Sequence, residues 1–334
     1  MPPTETVLSG IRATGRLHFG NFMGAVQNFV KLQKTGNHCL YFIADLHTLT
    51  TMQNPEEMRR NIMDIAKDYL AAGLSPEHSS LYLQSSVPEI TELTLYLSMV
   101  QPFGELTRIP TFKEKVRLAP NNVSLGLVSY PVLMAADILG PRATLVPVGE
   151  DQIPNVELAR NLAQRFNKLY GQTFTVPVML PQMLKVPGLK GGKMGKSEDD
   201  NAIDINASKQ EIATRYREHG VTDVNRVRRD DPGDPYNGCK SVYPLHEMLT
   251  PGEKDNRNIA NACRNASIGC AECKALLVDR IMDLLGPFQE KRRGYESQDR
   301  HVEEVLYEGG RHARRIISKT TAEVREKMGI FRRL

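Results

Sequence analysis

Tryptophan is missing from this 334-residue chain, whose aromatic residues are 11 tyrosines and 10 phenylalanines. The lack sets no limit on fold. It does mean that any indole bound by the protein would be the sole indole fluorophore in solution. Cysteine is also sparse. There are five, Cys39 and then Cys239, Cys263, Cys270 and Cys273, which excludes a small scaffold stapled by disulfides. Neither sign of charge dominates. A formal net charge of +4 excludes a strongly basic packaging protein or an acidic tail, and leaves a mild basic bias compatible with a nucleic-acid partner. Long apolar runs are absent too. The most apolar stretch, Leu125–Leu139, contains Pro131 and Asp137 and is too short to span a bilayer. Met1–Thr6 has neither the basic start nor the apolar core of a signal peptide, so a cytoplasmic protein with no membrane partner is expected. There are no internal repeats. What is present is ordinary for a globular protein of about two domains, with 40 % hydrophobic and 25 % charged residues.

The first half alternates strand and helix patterns. Strands are expected at Thr6–Ser9, His38–Ala44, Ser80–Gln84 and Thr144–Val148, where short apolar runs end at polar or Gly residues. Helices are expected at Asn21–Leu32, at Pro55–Ala72 behind an Asn54 N-cap, at Glu89–Val100, and at Pro154–Tyr170 before Gly171. Such alternation predicts an α/β fold with a doubly wound parallel sheet. From Ser208 the strand pattern fades into amphipathic helices rich in Arg and Lys, and a domain boundary is expected near Lys185–Asn206.

Chemistry concentrates at a few places. Gly10-Ile11-Arg12-Ala13-Thr14-Gly15 follows the first strand, and His18-Phe19-Gly20-Asn21 opens a helix. Ligands of such sheets sit at the carboxyl ends of strands. Gly20 permits close approach of a nucleotide, and the helix N-terminus offers N–H groups to phosphate. His18 and Asn21 are placed to donate to an α-phosphate as its charge builds up. Far along the chain, Lys193-Met194-Gly195-Lys196-Ser197 follows Gly191-Gly192, a Gly-rich loop expected to be mobile and to bring two ammonium groups over β- and γ-phosphates. A Gly turn with a surface His and a solvated Lys loop are the plainer alternatives. Val148-Gly149-Glu150-Asp151-Gln152 ends a strand, with Gly149 allowing approach to a ribose and Asp151 accepting from its hydroxyls.

Asp137 is the single charge in an apolar helix, with Met134 three residues earlier on the same face. A carboxylate on an apolar wall beside a thioether suits a flat aromatic ring carrying one N–H. A buried Asp requires either such a ligand or an internal N–H partner.

At this point the chain resembles the bacterial tryptophanyl-tRNA synthetases of class I. His18–Asn21 and Lys193–Ser197 look like the two signature motifs of that class. The stretches SGIRATGRLHFGNFMGA, DLHTLT, YPVLMAADIL, VPVGEDQ, ELAR, AQRFN and EVLYEGGRHARRI carry the likeness through nearly the whole chain. The resemblance implies a Rossmann-like catalytic domain over 1–200, a helical anticodon-binding domain over 201–300, and a C-terminal helix over 301–334 returning to the catalytic domain. It implies a homodimer that activates tryptophan with ATP and Mg²⁺ and transfers it to tRNA(Trp). It further implies that Asp137 accepts from the indole N–H with Met134 on the ring, and that Tyr130 and Gln152 hold the α-amino group. Leu8, Gly10, Ala44, His47, Val146 and Val148 would line the pocket. Arg12, Ala13, Thr14, Gly20, Asn21, Gly149, Glu150, Asp151, Val186 and Lys193 to Ser197 would serve ATP. Three departures stand out: Gly195 where the family has Ser, Arg12 where Gln is common, and Pro154-Asn155 in place of Gln-His. A tyrosine–tRNA ligase, or a duplicated synthetase reused as a redox or regulatory tryptophan-binding protein, are the other readings.

Cys239, Cys263, Cys270 and Cys273 are spaced as a four-thiolate metal site. Spacing alone favours Zn²⁺. Resemblance to the iron–sulfur subgroup of the family favours a [4Fe–4S] cluster, and four reduced thiols are the third possibility. Basic clusters at Arg226, Arg228 and Arg229, at Lys291–Arg293, and at Arg311, Arg314 and Arg315 are candidate tRNA contacts.

Overall fold

The computed structural model describes residues 4–118, 123–181, 184–195, 199–249 and 253–330. The chain divides into two compact units. One comprises residues 1–16, 29–183 and 295–334, the other residues 17–28 and 184–294.

The first unit is built on a five-stranded, wholly parallel sheet in the order β3-β2-β1-β4-β5. The strands are β1 (Thr6–Ile11), β2 (His38–Ile43), β3 (Ser79–Leu83), β4 (Leu145–Val148) and β5 (Val178–Pro181). β2 is buried from its second residue to its last, as expected of a central strand covered on both faces. The chain reverses direction across the sheet beside β1, whose carboxyl end is therefore the switch point where ligands of such sheets bind. Helices α1 (Pro55–Ala72), α2 (Glu89–Val100), α3 (Leu125–Leu139) and α4 (Ile153–Tyr170) make the crossovers that follow β2. Their ends are fixed by local chemistry. Asn54 Oδ1 accepts from the N–H groups of Glu56 and Glu57 at 3.0 and 3.1 Å, and Gly73 closes α1 at a φ of +102°. Ser124 caps α3 by accepting from Leu127 N at 3.2 Å.

β3 is an edge strand, and an unpaired edge invites association. Here the helix Asp299–Lys327 covers it. Gly309 makes the approach possible, because a Cβ there would come within 1.9 Å of Leu81 O. His312 Nδ1 lies 2.6 Å from Ser80 Oγ. The sequence pattern had no signal for β5, a short strand with Val178 exposed.

The second unit is mainly helical: Lys209–His219, Val242–Leu249, Glu253–Arg264 and Cys270–Gly294. Ser208 and Glu211 cap the first of these reciprocally. The helix expected from Asn21 starts earlier, at Phe19, and passes through a π-turn at Phe22–Val26. Among the described residues no helix is long and apolar enough to cross a membrane.

Candidate functional site

Residues expected to line the aromatic pocket lie together inside the first unit. Leu8, Ala44, Tyr130, Val146 and Val148 belong to one buried hydrophobic cluster, with Met134 packed against it. Gly10, at the carboxyl end of β1, lies against Phe42. A Cβ at this position would meet that ring at 2.8 Å, so the glycine lets the strand end and the aromatic side chain pack.

Asp137 is 3 % exposed, and its carboxylate is held from two directions. Gln84 Nε2 donates to Oδ1 at 2.9 Å and to Oδ2 at 2.8 Å. His47 Nε2 lies 3.0 Å from Oδ2. Gln84 also accepts from His47 N through Oε1 at 3.2 Å. The internal partner that a buried Asp requires therefore exists, supplied by two side chains from outside its own helix. Burial pushes the Asp137 carboxyl above the usual carboxylate range, opposed by the His47 and Gln84 hydrogen bonds. A carboxylate has about four acceptor sites, so these contacts leave capacity for a ligand N–H.

Tyr130 and Gln152 are linked to a residue the sequence reading treated only as a departure. Asn155 is fully buried, donates to Gln152 Oε1 at 2.9 Å, and its amide also acts on the Tyr130 hydroxyl. Thr111 Oγ1 sits 2.6 Å from Tyr130 Oη. Gln84, Asn155 and Thr111 are the partners that motif reading missed. Gln84 was findable, since it follows β3 directly, at the carboxyl end of a parallel strand.

The residues expected to meet ATP fall into both units. In the first, the Arg12 guanidinium is occupied by Thr51 and, at 3.5 Å, by Thr50, and burial lowers its basicity. Ala13 N donates to Thr48 Oγ1 at 2.8 Å, Ala13 O accepts from Asn61 at 3.0 Å, and Thr14 is half-buried next to them. Gly149 caps the turn Glu150–Gln152, where Glu150 and Asp151 are exposed and Gln152 Nε2 donates to Asp151 Oδ2 at 2.8 Å.

In the second unit the two signature motifs meet, 174 residues apart in sequence. Gly20 N points at Met194 Sδ at 3.2 Å. A Cβ on Gly20 would press on the His18 ring at 2.9 Å and on Met194 Cβ at 3.2 Å. His18 Nδ1 accepts from Asn21 N at 3.2 Å, and Asn21 Oδ1 accepts from His18 N at 3.4 Å. This reciprocal cap fixes both side chains at the helix start. Several backbone contacts shape the described part of the glycine-rich loop. Met194 N donates to Val186 O at 2.8 Å, and Pro187 and Lys193 form a bridge. Asn201 accepts from Lys190 N at 2.8 Å and donates to Lys193 O at 3.3 Å. Gly191 and Gly192 take φ of +86° and +70°, the left-handed region that this tight turn requires. Met194 and Val186 are buried, Lys193 is exposed, and Gly195 is half-buried. Lys196 and Ser197 lie outside the described residues.

Cys239, Cys263, Cys270 and Cys273 line one small cavity, open in part to solvent, together with Asp223, Arg226, Val242 and Ile259. Tyr243 N donates to Cys239 Sγ at 3.3 Å and Arg226 Nη1 lies 3.8 Å from Cys263 Sγ. Gly233 leaves room there, since a Cβ would come within 2.6 Å of Cys263 Sγ. Burial and the neighbouring thiols push Cys273 up to about 12. No group of three His, Cys, Asp or Glu among the described residues is arranged to hold a single metal ion. Cys39 is core, as expected. Several of the basic clusters are already paired: Arg229 with Glu272, Arg311 with Glu308 and Arg314 with Glu89, while Arg292 is buried.

A parallel sheet with its switch point at β1, a buried carboxylate on an apolar wall, and two phosphate-type motifs joined at Gly20 and Met194 define a nucleotide-dependent enzyme of the doubly wound α/β class. Residues 4–286 match the family model described as tRNA synthetases class I (W and Y), and the chain belongs to that family. It is 41 % identical to the tryptophan–tRNA ligase of Thermotoga maritima, over 97 % of this chain and 99 % of the relative. It is 42 % identical to that of Porphyromonas gingivalis over the same shares. Among solved structures, tryptophanyl-tRNA synthetase of Campylobacter jejuni, complexed with ADP and tryptophan, superposes with a TM-score of 0.86 at 33 % identity, covering 97 % of this chain and 99 % of that one.

Proposed function

We propose that this chain is a tryptophan–tRNA ligase, which joins tryptophan to ATP as tryptophanyl-adenylate and passes the acyl group to tRNA(Trp). The observation that carries the reading is Asp137, a buried acceptor on the helix whose Met134 packs against the apolar cluster of Leu8, Ala44, Tyr130, Val146 and Val148. Its free acceptor capacity takes the indole N–H. Tyr130 and Gln152 take the α-ammonium, and Leu8, Gly10, Ala44, His47, Val146 and Val148 enclose the ring. The tryptophan carboxylate attacks the α-phosphorus and pyrophosphate leaves. His18 and Asn21 stabilise the charge that develops, and Lys193, Lys196 and Ser197 hold the departing pyrophosphate. Arg12, Ala13, Thr14, Gly20, Gly149 to Asp151, Val186, Met194 and Gly195 serve the nucleotide. Mg²⁺ enters with ATP as the counter-ion of its phosphates. Pyrophosphate exchange into ATP, run with tryptophan and with tyrosine, tests this. Exchange with tryptophan alone is expected. Exchange with tyrosine alone, or tryptophan binding without exchange, would overturn it.

The finer assignments are proposals of the same kind. Residues 1–200 form the catalytic domain, 201–300 read the anticodon, and 301–334 return to the catalytic domain. The protein works in the cytoplasm as a homodimer, and the exposed Leu95, Met99 and Phe103 supply apolar surface suited to a second copy. The four thiols suit a [4Fe–4S] cluster. What supports a shared group is that all four line one cavity. Bound there, the cluster would fix the helical region rather than take part in acyl transfer. Visible absorbance of protein purified without oxygen, lost in Cys270→Ser, checks it. A colourless native protein holding stoichiometric zinc would overturn it.

A further inference from the structure

Gln84 is 1 % exposed, and both polar atoms of its amide are engaged, at Asp137 and at His47. Its Nε2 bridges both Asp137 oxygens at 2.9 and 2.8 Å, and its Oε1 accepts from the backbone N–H of His47 at 3.2 Å. His47 in turn reaches Asp137 Oδ2 at 3.0 Å through Nε2. The three residues close a ring, in which one amide fixes the carboxylate plane and the start of the turn carrying the imidazole.

We propose that Gln84 is a specificity-determining positioning residue: it locks the Asp137 carboxylate so that its remaining acceptor site faces a planar, N–H-bearing ring. This rests on the reading of Asp137 as the indole acceptor. The physical reason is directional. A carboxylate free to rotate about its Cβ–Cγ bond offers a donor a smeared target, and with one donor from each side only a narrow set of orientations keeps all three bonds. Discrimination against a ring without the N–H depends on that fixed aim, because a rigid acceptor left unpaired by the wrong ligand cannot turn to another partner. A purely structural amide would serve the fold and leave selectivity alone.

The test compares tryptophan with its analogue carrying sulfur in place of the indole N–H, in pyrophosphate exchange. The variants are Gln84→Met, which keeps the side-chain length without the amide, and Gln84→Glu, which replaces the donor by an acceptor. Thermal unfolding is followed in parallel. The expected result is a fall of about tenfold or more in kcat/KM for tryptophan, with the sulfur analogue nearly unchanged, so that the ratio between them shrinks by the same factor. Gln84→Glu should shrink it further, as two carboxyl groups would then face each other. An unchanged ratio in folded variants would overturn the proposal. So would an equal loss for both substrates, or failure of both variants to fold, since each marks a structural role. Asp137→Asn is run beside them. If it leaves the ratio intact, the reading of Asp137 fails and this inference falls with it. If it collapses the ratio and the Gln84 variants do not, only the role of Gln84 is refuted.

Discussion

The wall around Asp137 in the first unit and the glycine-rich loop of the second solve opposite problems. At the wall, a charge is taken out of water, and folding itself supplies its partners: Gln84 and His47 engage Asp137 before any ligand arrives. In the loop, exposed Lys193 stays at the surface, and what is fixed is the backbone beneath it, through Val186, Pro187 and Asn201. One region spends its hydrogen bonds on aiming a side chain. The other spends them on shaping a turn. A fixed acceptor gives selectivity for a small rigid ligand. A shaped turn with an exposed cation suits a flexible polyanion that must later be released.

If the contrast is right, breaking the wall costs most. Asp137→Ala is expected to lower kcat/KM for tryptophan in pyrophosphate exchange by about 10³-fold, because the ligand loses its acceptor and two buried donors lose theirs. KM for ATP should hardly move. Gly188→Ala attacks the loop. A Cβ there would come within 2.3 Å of Asn201 Oδ1, the atom that also accepts from Lys190 N. A displaced turn should raise KM for ATP about ten- to a hundredfold and leave tryptophan affinity alone, which its own fluorescence can report. Gly309→Ala separates binding from fold. Its methyl would strike Leu81 O on β3, at a stability cost of about 2 kcal/mol. Chemical denaturation should show that loss, with kcat/KM at low temperature unchanged. An equal effect of Gly188→Ala on both substrates would erase the contrast between the regions.

Most of the first unit was legible in sequence. Short apolar strands, Asn54 before Pro55 and Gly171 after Tyr170 announce its elements because strand burial and helix caps are local chemistry. The motifs named their residues for the same reason. What stayed hidden depends on distance. Gln84 lies 53 residues from Asp137, Asn155 joins Gln152 to a tyrosine on another helix, and no periodicity encodes such pairs. The shape of the Gly-rich loop was hidden in the same way. Gly191 and Gly192 take positive φ in a tight turn whose backbone Asn201 holds. The left-handed residues a turn needs and the ones that make a chain slack are the same amino acid, and only the partner across space distinguishes them.

The smallest effect tests the wall by protons rather than by mutation. Burial holds the Asp137 carboxyl above its ordinary value of 3.8, with His47 and Gln84 pulling the other way. Between the ordinary and the raised value, the native state binds this proton and the unfolded chain does not. Stability from this group therefore falls as pH rises through that window, and at neutral pH the full cost of keeping Asp137 ionised is present. Acidification from neutral should recover that stability in the native protein but not in Asp137→Asn, read as the difference between their unfolding midpoints. Binding should run the opposite way. Protonation weakens the acceptor, so tryptophan affinity should fall a few-fold across the same window, while affinity for the sulfur analogue stays flat. If both ligands weakened together, the acid effect would lie elsewhere in the pocket, and the fixed acceptor would lose its claim to set the pH response.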